Sequence, residues 1–312
     1  MTLKKYQTTI GRRIEIEGAG VHSGQPVQMA LVPAEAGTGT VFHRVDFAGH
    51  KSGLVPALCS SVQATELCTI IANSDGAAAQ TIEHLMAALS ALEIDNVIVE
   101  LDQAEVPVMD GSSSAFVEAI DEAGVKELAA PRSYIRVLRP VRVSNGAAWA
   151  EFTPGDKRSY DVEIEFDDRT IGRQRVAVDL TPDVFRDELS FARTFGFMRD
   201  VERLWAAGFA LGSSLENAVV ICDQSGVVNP EGLRRPDEFA RHKLLDAIGD
   251  LSLAGAPILG QYRSHRGGHK LNADALAALL ADEANYELVT FGEAPVRVAN
   301  TVAKEVRVAE PV

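Results

Sequence analysis

The feature that most constrains the fold of this chain is an order of elements that occurs twice. Alternating apolar and polar residues, separated by glycine and proline, predict early strands at 13–17, 27–32 and 41–47. A helix that contains His84 follows at about 81–93. The strand pattern starts again near Tyr134, and a second helix, at about 237–254, contains His242. We therefore predict a weak internal duplication, in which two α+β units face each other across a seam that contains the functional site.

The boundary between the two units is predicted at residues 129–132, because the strand pattern restarts directly after them. A length of 312 residues also suggests about two domains, at roughly 150 residues each. We therefore interpret 129–132 as a linker. The predicted fold class is α+β, with an N-terminal domain at 1–128 and a C-terminal domain at 132–312.

Several helix ends are predicted from single residues. Thr81 is a candidate N-cap for the first helix, and Gly124 is expected to close a second helix that starts at Ser114. The last helix is predicted at 273–282. The segment 267–272 would then be a glycine-hinged loop in front of it.

Charge and cysteine usage argue against several classes of protein. The net charge is −14, from 30 basic and 44 acidic residues, whereas nucleic-acid binders neutralise phosphates with Lys and Arg. The three cysteines, Cys59, Cys68 and Cys222, form no CxxC pair, so neither a disulfide framework nor a thiolate zinc site is expected. A reducing cytoplasm is the expected location.

The sequence also shows none of the signals of a secreted or membrane-spanning protein. Its first residues turn polar at once, without an apolar signal core. No run approaches the ~18 apolar residues that suggest a membrane span. We expect a protein without a transmembrane segment, which at most lies on a membrane surface.

The spacing of ionisable residues in the helix at 237–254 predicts a metal site. His242 and Asp246 are four residues apart, so they project from the same helix face and can bind one ion. With His84 as a third ligand, one coordination position would stay open, as a catalytic zinc requires. Glu83, next to His84, would place a carboxylate at the edge of the metal. Two histidines and one aspartate as ligands, with a glutamate beside them, are typical of a zinc hydrolase.

Each of these residues also has an ordinary structural interpretation. A single histidine on an amphipathic helix, such as His84, is more often a surface or capped residue than a metal ligand. His242 and Asp246 could form a simple helical pair, which contributes about 0.2–0.5 kcal/mol. Asp250, four residues further, could belong to a solvated face. The buried face of this helix is already defined by Leu244, Leu245, Ile248 and Leu251, so the aligned ionisable groups face either water or a cleft.

Three other segments allow both a structural and a functional interpretation. The 267–272 segment is either a simple turn or a mobile loop whose His269 imidazole acts as a general acid. Thr194, in the segment 193–196, is either a turn residue or a hydroxyl placed near a polarised carbonyl. The glycine-rich segment 18–24 lacks the full phosphate-binding fingerprint, so no nucleotide loop is predicted there.

Six segments, taken in order, carry a resemblance to a known family. They are GVHSG at 20–24, TIEHLMAAL at 81–89, VPVMDGSS at 106–113, ARTFGFMRD at 192–200, EFARHKLLDAIGD at 238–250 and GHKLN at 268–272. With them, the chain closely resembles the UDP-3-O-acyl-N-acetylglucosamine deacetylase family, the zinc amidases that commit Gram-negative bacteria to lipid A synthesis. The resemblance covers nearly the whole chain, with no departure at a chemically committed position.

This resemblance implies two similar α+β domains, each a small sheet packed on helices with an insert, and one zinc ion at their interface. The implied zinc ligands are His84, His242 and Asp246. The resemblance also implies a general base, Glu83, and a general acid, His269. The residues that would assist them are Asp250, which orients His269, and Lys243 and Thr194, which stabilise charge at the reacting carbonyl.

Contacts with the rest of the substrate are implied by looser matches. The second insert of the family forms a passage for the acyl chain, and the matching apolar residues here are Phe195, Phe197, Met198, Val201 and the stretch through Leu215. An ordinary core is the alternative interpretation of that stretch. Phe166 and Arg266 match positions associated with uridine stacking and diphosphate contact, although an arginine replaces the more familiar lysine.

The expected activity is zinc-dependent removal of the N-acetyl group from UDP-3-O-[(R)-3-hydroxyacyl]-N-acetylglucosamine. We expect a monomer in the cytoplasm or peripherally at the inner membrane, with this UDP-linked sugar as its partner and no nucleic acid. Iron(II), Fe2+, could occupy a site of two histidines and one carboxylate almost as readily as zinc, Zn2+. Two alternatives stay open: a non-catalytic zinc or carbohydrate-binding protein, and a metal-dependent phosphoesterase, which usually requires a second metal.

Overall fold

The first part of the chain folds into short strands and two helices. The computed structural model describes residues 3–47 and 52–290. The strands of this part are β1 (Tyr6–Ile10), β2 (Ile14–Ala19), β3 (Pro26–Pro33), β4 (Thr40–Arg44), β5 (Leu54–Pro56), β6 (Val62–Ala64), β7 (Ile70–Ala72), β8 (Ala78–Gln80), β9 (Val97–Leu101) and β10 (Val125–Pro131). The helices are α1 (Glu83–Ala91) and α2 (Ser114–Ala123), and a 3-10 turn lies at Cys59–Ser61.

A five-stranded sheet in the order β2-β3-β9-β4-β5 is the main element of this first part. Its strands pair antiparallel except for β4 and β9, which run parallel. The predicted alternation is present in β2, where Ile14 and Ile16 are buried and Glu15 and Glu17 are exposed. The buried face of the sheet joins one hydrophobic core with α1 and α2. A smaller sheet, β6-β7-β8, leads into α1.

The second part of the chain repeats the succession of strands and helices. Its strands are β11 (Ser133–Val137), β12 (Val141–Asn145), β13 (Ala148–Thr153), β14 (Arg158–Glu165), β15 (Arg173–Asp179), β16 (Phe195–Phe197), β17 (Val219–Cys222), β18 (Gly226–Val227), β19 (Ile258–His265) and β20 (Tyr286–Thr290). Its helices are α3 (Pro182–Val184), α4 (Val201–Ala206), α5 (Glu238–Leu251) and α6 (His269–Leu280). Short π and 3-10 turns lie at Phe185–Leu189, Met198–Asp200 and Ser252–Ala254.

A seven-stranded sheet dominates this second part. Its main path is β12-β13-β19-β11-β20, and β14 joins through β19 with β15 beside it. A separate small sheet, β16-β17-β18, lies in the segment between α3 and α5. The α+β fold class predicted from the sequence is confirmed. Within the described ranges, no helix combines the length and apolar character needed to cross a membrane.

The two parts meet where α1 packs against α5. The approach is close because α5 has a glycine at the contact: a Cβ on Gly249 would lie 2.0 Å from the carbonyl oxygen of Glu83. Nearly all residues of both helices are buried. The polar side chains of α5 therefore face the protein interior, and the solvated-face interpretation of Asp250 does not hold.

The predicted N-cap of α1 is wrong. The helix begins at Glu83, and the residue before it, Ile82, makes no side-chain capping bond. Thr81 has a positive φ of 55° and its hydroxyl donates instead to Glu105 Oε1 at 3.1 Å. A tertiary hydrogen bond from Thr81 to a buried carboxylate thus replaces the predicted capping bond to the helix backbone. The predicted closure of α2 by Gly124 is confirmed, with φ at 72°.

The predicted linker at 129–132 is not an irregular segment. Residues up to Pro131 belong to β10, which pairs antiparallel with β1 from Tyr6 to Ile10. Proline is tolerated at the end of such a strand because no further ladder bond is needed there. The strand pattern does restart at Ser133, as predicted, and the domain boundary itself stays a prediction.

The last helix starts earlier than predicted. α6 begins at His269 rather than at residue 273, and Gly268 precedes it with an extended backbone. The predicted glycine-hinged loop is therefore shorter, and His269 belongs to the first turn of a helix. The side chain of His269 is only 10% exposed, which rules out the mobile, solvent-reachable imidazole expected from the sequence.

Candidate active site

Three ionisable side chains are aligned along α5, as the spacing predicted. His242, Asp246 and Asp250 follow one another at intervals of four residues, and all three are buried. Burial of an ionisable group costs free energy unless a partner compensates it. The partners come from α1, from the loop before β7 and from α6.

The two imidazoles converge on one carboxylate oxygen. Asp246 Oδ1 lies 3.4 Å from His242 Nε2 and 3.5 Å from His84 Nε2, and the two ring centroids are 5.0 Å apart. One ligand atom from each residue fits within 4.8 Å of the others. This His/His/Asp group is what the sequence predicted as the metal site. Glu83, its neighbour on α1, is also buried here.

One buried atom indicates that a cation belongs at this point. Asp246 Oδ1 is buried without a hydrogen-bond donor. Such an orphan acceptor is rare in folded proteins and requires an explanation. Two imidazole nitrogens and one carboxylate oxygen are ligands that zinc and iron(II) accept, and three protein ligands leave a further coordination position for water or substrate. The donor set thus fits the metal that the sequence predicted.

The protonation states of the ligands suit metal binding. Burial lowers the pKa of His242 to about 3, so its imidazole is neutral near pH 7. Its Nδ1 lies 3.1 Å from the carbonyl oxygen of Ala192, which leaves Nε2 free to face Asp246. Burial acts to raise the pKa of Asp246, but the neighbouring cations Lys243 and His269 hold it well below its usual range. Asp246 is therefore an anion.

Glu83 has one carboxylate oxygen that is available next to the His/His/Asp group. Its Oε2 accepts a hydrogen bond from the backbone N–H of Thr69 at 3.1 Å, and its Oε1 lies 3.9 Å from His269 Nε2. Burial raises the pKa of Glu83. A buried carboxylate with a raised pKa and one fixed oxygen is suited to accept a proton.

His269 approaches both Glu83 and Asp246 with its Nε2 atom. Its Nδ1 is 2.9 Å from Asp250 Oδ2, and its Nε2 is 3.9 Å from Asp246 Oδ2. Burial acts to lower the pKa of His269, but the carboxylates of Asp250 and Glu83 raise it to about 9. The imidazole is therefore a cation near neutral pH, as a proton donor must be.

Asp250 is fixed by residues that the sequence analysis missed. Thr69 Oγ1 donates to Asp250 Oδ1 at 2.6 Å, and Asn272 Nδ2 donates to Asp250 Oδ2 at 2.8 Å. The Tyr262 hydroxyl donates in turn to Asn272 Oδ1 at 2.5 Å. The only available signal was the position of Asn272, three residues after His269 and hence on the same helix face. No local sequence pattern marked Thr69 as a residue of the site.

Lys243 is held at the candidate metal site by its helix neighbour Asp246. Its Nζ lies 2.8 Å from Asp246 Oδ2 and 5.5 Å from the centre of the Phe195 ring. Burial acts to lower the pKa of Lys243, but Asp246 raises it above its usual value. The ammonium group is therefore charged. It lies beside the candidate metal ligands, and its role at the reacting carbonyl stays a prediction.

Thr194 lies two residues from the Ala192 carbonyl that contacts His242. The residue is half-buried, and its backbone N–H donates to the carbonyl oxygen of Gly111 at 2.8 Å. Its main chain therefore ties the segment after Ala192 to the first part of the chain.

A buried arginine that was not singled out as functional fixes this same segment. Arg193 Nε lies 2.9 Å from Glu238 Oε1, and the backbone N–H of Arg193 donates to that oxygen at 3.1 Å. The guanidinium also contacts Glu231. Glu238 is the first residue of α5, so the pair positions the Ala192 carbonyl against the helix that carries His242.

The predicted uridine and diphosphate residues lie together. Phe166 and Arg266 border one pocket of about 370 Å³, together with Phe197 and Arg199. Phe166 contacts the rings of Phe195 and Phe197 at centroid distances of 5.9 and 6.2 Å. Phe195 in turn lies 6.0 Å from the His242 ring. An aromatic cluster thus connects this pocket with the His/His/Asp group.

The segment predicted to hold the acyl chain is apolar and only partly covered. It runs from β16 through α4 to Leu215. Met198 is 48% exposed and Leu215 is 42% exposed, whereas Phe195, Phe197 and Val201 are half-buried. Exposed apolar side chains continue in the same segment at Trp205, Phe209 and Leu211. A fully buried core, the alternative interpretation, does not describe this surface.

Comparisons with known proteins agree on one family. The model of the LpxC family, UDP-3-O-acyl N-acetylglycosamine deacetylase, matches residues 7–281. Proteins named UDP-3-O-acyl-N-acetylglucosamine deacetylase from Brucella ovis and Brucella abortus are 52% identical to this chain, and one from Brucella melitensis biotype 2 is 51% identical. Each alignment spans 287 residues, which is 92% of this chain and 99% of the relative.

The match includes every helix that contributes to the candidate site, from α1 to α6. Proteins that share only a fold need not match over so much of the chain or at so high a level of sequence identity. The chain therefore belongs to the LpxC family of UDP-3-O-acyl N-acetylglycosamine deacetylases.

Proposed function

We propose that this chain hydrolyses the N-acetyl group of UDP-3-O-[(R)-3-hydroxyacyl]-N-acetylglucosamine in the committed step of lipid A biosynthesis. The products are acetate and the free glucosamine amine. The observation that carries the proposal is the convergence of His84, His242 and Asp246 on one point, with Glu83 and His269 next to them. Family membership supports the substrate.

The residues that would hold the metal are His84, His242 and Asp246. Zinc is the ion we propose, and iron(II) is compatible with the same donors. The chemistry that the metal supplies when bound is polarisation of the amide carbonyl and activation of water near neutral pH. The described residues contain a single group of this kind, whereas metal-dependent phosphoesterases usually require two metals.

Glu83 would accept the proton of the attacking water. Its Oε2 is fixed by the Thr69 N–H, so Oε1 is the free oxygen. Because burial raises the pKa of Glu83, the carboxylate is a stronger base than an exposed one. The carbon–oxygen bond forms as the water proton moves to Oε1.

His269 would donate a proton to the departing nitrogen. An amine leaves only when protonated, and the His269 cation carries the required proton on Nε2. Asp250 orients the ring through Nδ1. As the carbon–nitrogen bond breaks, the proton on Nε2 passes to the amine, and His269 becomes neutral.

Lys243 and Thr194 would stabilise the negative charge that develops on the carbonyl oxygen. Lys243 is a cation next to Asp246, and Thr194 lies in the segment fixed against His242. Donors aimed at a developing oxyanion each contribute about 3–4 kcal/mol to the transition state.

The remaining substrate would extend away from this centre in two directions. The pocket with Phe166 and Arg266 suits a base that stacks and a diphosphate that pairs with a cation. The exposed apolar residues Phe195, Phe197, Met198, Val201 and Leu215 suit the acyl chain. We further propose that domains at 1–128 and 132–312 frame the site, and that a monomer acts in the cytoplasm or at the inner membrane surface.

The proposal is tested with the Glu83→Gln variant, which keeps the size of the side chain but removes the base. Metal content and amine release from the UDP-linked acylated sugar are measured before and after chelation. We expect metal content to be retained and turnover to fall by about 10²–10⁴-fold. Glu122→Gln, an exposed glutamate on α2, is the matched control. Near-normal turnover of Glu83→Gln, or full turnover after metal removal, would refute the mechanism.

A further inference from the structure

A second cavity lies where α1 and α5 end, away from the candidate active site. Its volume is about 350 Å³. Ser90, in the last turn of α1, and Ser252, directly after α5, are among its lining residues. The active site instead uses Glu83 and His84 at the start of α1, so about 9 Å of helix separates His84 from Ser90. None of the residues assigned to catalysis or substrate binding borders this cavity.

The wall of this cavity is mostly apolar. Its apolar residues include Pro56, Leu58, Met86, Leu89, Ile94 and Ile258. Small-molecule sites in proteins have this character: an apolar wall, a few placed polar groups and a volume of roughly 300–1,000 Å³. The two parts of the chain both contribute, since Met86 lies on α1 and Ile258 begins β19.

The polar group that distinguishes the cavity is the guanidinium of Arg158 at the start of β14. The residue is buried, and its Nη1 and Nη2 donate to the carbonyl oxygen and Oγ of Ser90 at 3.1 and 2.7 Å. Its Nε is buried without an acceptor. The Tyr160 hydroxyl is close to Arg158, whose charge acts to lower the Tyr160 pKa. Burial nevertheless raises this pKa, so the hydroxyl is neutral. Arg158 thus contacts neutral groups only, within the ranges described.

The other charges near the cavity balance one another. Arg132 lies 3.1 Å from Glu93 and 2.8 Å from Asp95, and Lys4 lies 3.3 Å from Glu93. These are two cations and two carboxylates. Among residues 3–47 and 52–290, Arg158 therefore remains a buried positive charge without a counter-ion. Buried charges are normally paired because an isolated one is costly.

We propose that this cavity binds a small organic monoanion, a carboxylate with an apolar body, whose charged end lies beside Arg158. One carboxylate balances one guanidinium and matches its donor geometry, whereas a phosphate dianion would leave excess negative charge. The apolar wall accepts a ring or a short alkyl chain. This site is independent of the proposed deacetylase reaction.

The test uses the metal-loaded full chain and 4-bromobenzoate as the probe, with neutral 4-bromobenzamide as its matched analogue. Calorimetric titration should show saturable binding of the anion and at least about tenfold weaker binding of the amide. Arg158→Met should weaken binding of the anion by about tenfold or more. Arg12→Met, which removes an exposed arginine, should leave it unchanged. In a crystal soaked with the probe, the anomalous signal of bromine should lie next to Arg158.

A second variant keeps the test decisive if Arg158→Met does not fold. Thr38, half-buried in the wall, can be changed to Trp to fill the cavity without removing a charge. Thr38→Trp should also weaken binding, with circular dichroism confirming the fold. The proposal would be overturned if Thr38→Trp, or a folded Arg158→Met, left the affinity for 4-bromobenzoate unchanged. Equal affinity for 4-bromobenzamide would also overturn it, as would a bromine signal at the His/His/Asp group. Tighter binding of inorganic phosphate than of 4-bromobenzoate would overturn the monoanion assignment.

Discussion

His269 and Asp250 are joined by a hydrogen bond of 2.9 Å between Nδ1 and Oδ2. They belong to different helices, α6 and α5. Thr69 and Asn272 hold the same carboxylate from two other directions. Because Nδ1 is engaged in this way, Nε2 is the nitrogen directed toward Glu83, and the proposed proton donor is oriented before substrate binds.

Asp250→Asn should move the alkaline limit of activity to lower pH. Burial acts to lower the pKa of His269, and Asp250 is the first of the carboxylates that raise it to about 9. Without that charge, His269 loses its proton at a lower pH. We expect the alkaline limb of kcat/KM to shift downward, measured from pH 6 to 10 in both proteins. An alkaline limb that does not move would show that another group sets it.

The same pair should contribute stability that depends on pH. The folded pKa of His269 is raised above the unfolded value of about 6.5, so its contribution is fully present below pH 6.5 and is lost as pH rises through about 9. The stability difference between wild type and His269→Gln should therefore shrink across this window. Urea denaturation of chelator-treated protein at several pH values measures it. A difference that grows with pH would contradict the assignment.

Asp246→Asn should abolish tight metal binding. The substitution removes the anionic ligand that both imidazoles face. Adding zinc to chelator-treated wild type should raise its Tm, since a ligand at one hundred times its Kd stabilises by about 2.7 kcal/mol. Asp246→Asn should show little of this rise, whereas Asp274→Asn, an exposed carboxylate on α6, should retain it. Equal rises in all three proteins would place the metal elsewhere.

Gly249→Ala should separate α1 from α5. The added Cβ would lie 2.0 Å from the Glu83 carbonyl oxygen, so a backbone must move. Overpacking of this kind costs about 1–3 kcal/mol and would displace Glu83 and His84 from the α5 ligands. Thermal unfolding and amine release should both decrease. Gly196→Ala, where a Cβ meets no atom within 4 Å, is the control for stability. Unchanged activity of Gly249→Ala would mean that the close approach is not required.

Arg193→Met should destabilise the segment that holds His242. It leaves Glu238, which is fully buried, without its cation, and breaking a buried pair costs about 3–5 kcal/mol. Arg203→Met removes an exposed arginine and should cost less than about 1 kcal/mol. Chemical denaturation compares the two variants with wild type. Equal, small losses would show that the Arg193–Glu238 pair is not structurally important.

The part of the site that lies within one helix was predictable from sequence. The i, i+4 spacing of His242, Asp246 and Asp250 places them on one face wherever the helix lies, because helix geometry is local. The α+β class followed from the same kind of local pattern. What periodicity could not decide was whether that face met water or protein, since this depends on α1 packing against it.

The amino-acid sequence by itself determined the fold class, the aligned α5 residues and, through its six family segments, the family. Only the tertiary structure decided which atoms compensate each buried charge. Thr69 binds Asp250 from 181 residues away, and Gly249 permits the contact with Glu83 that brings both halves of the candidate metal site together. Arg158 and Ser90 are likewise distant in sequence yet border one cavity. The physical reason is that periodicity reports the geometry of one element, whereas burial and electrostatic compensation arise only when elements from different parts of the chain meet.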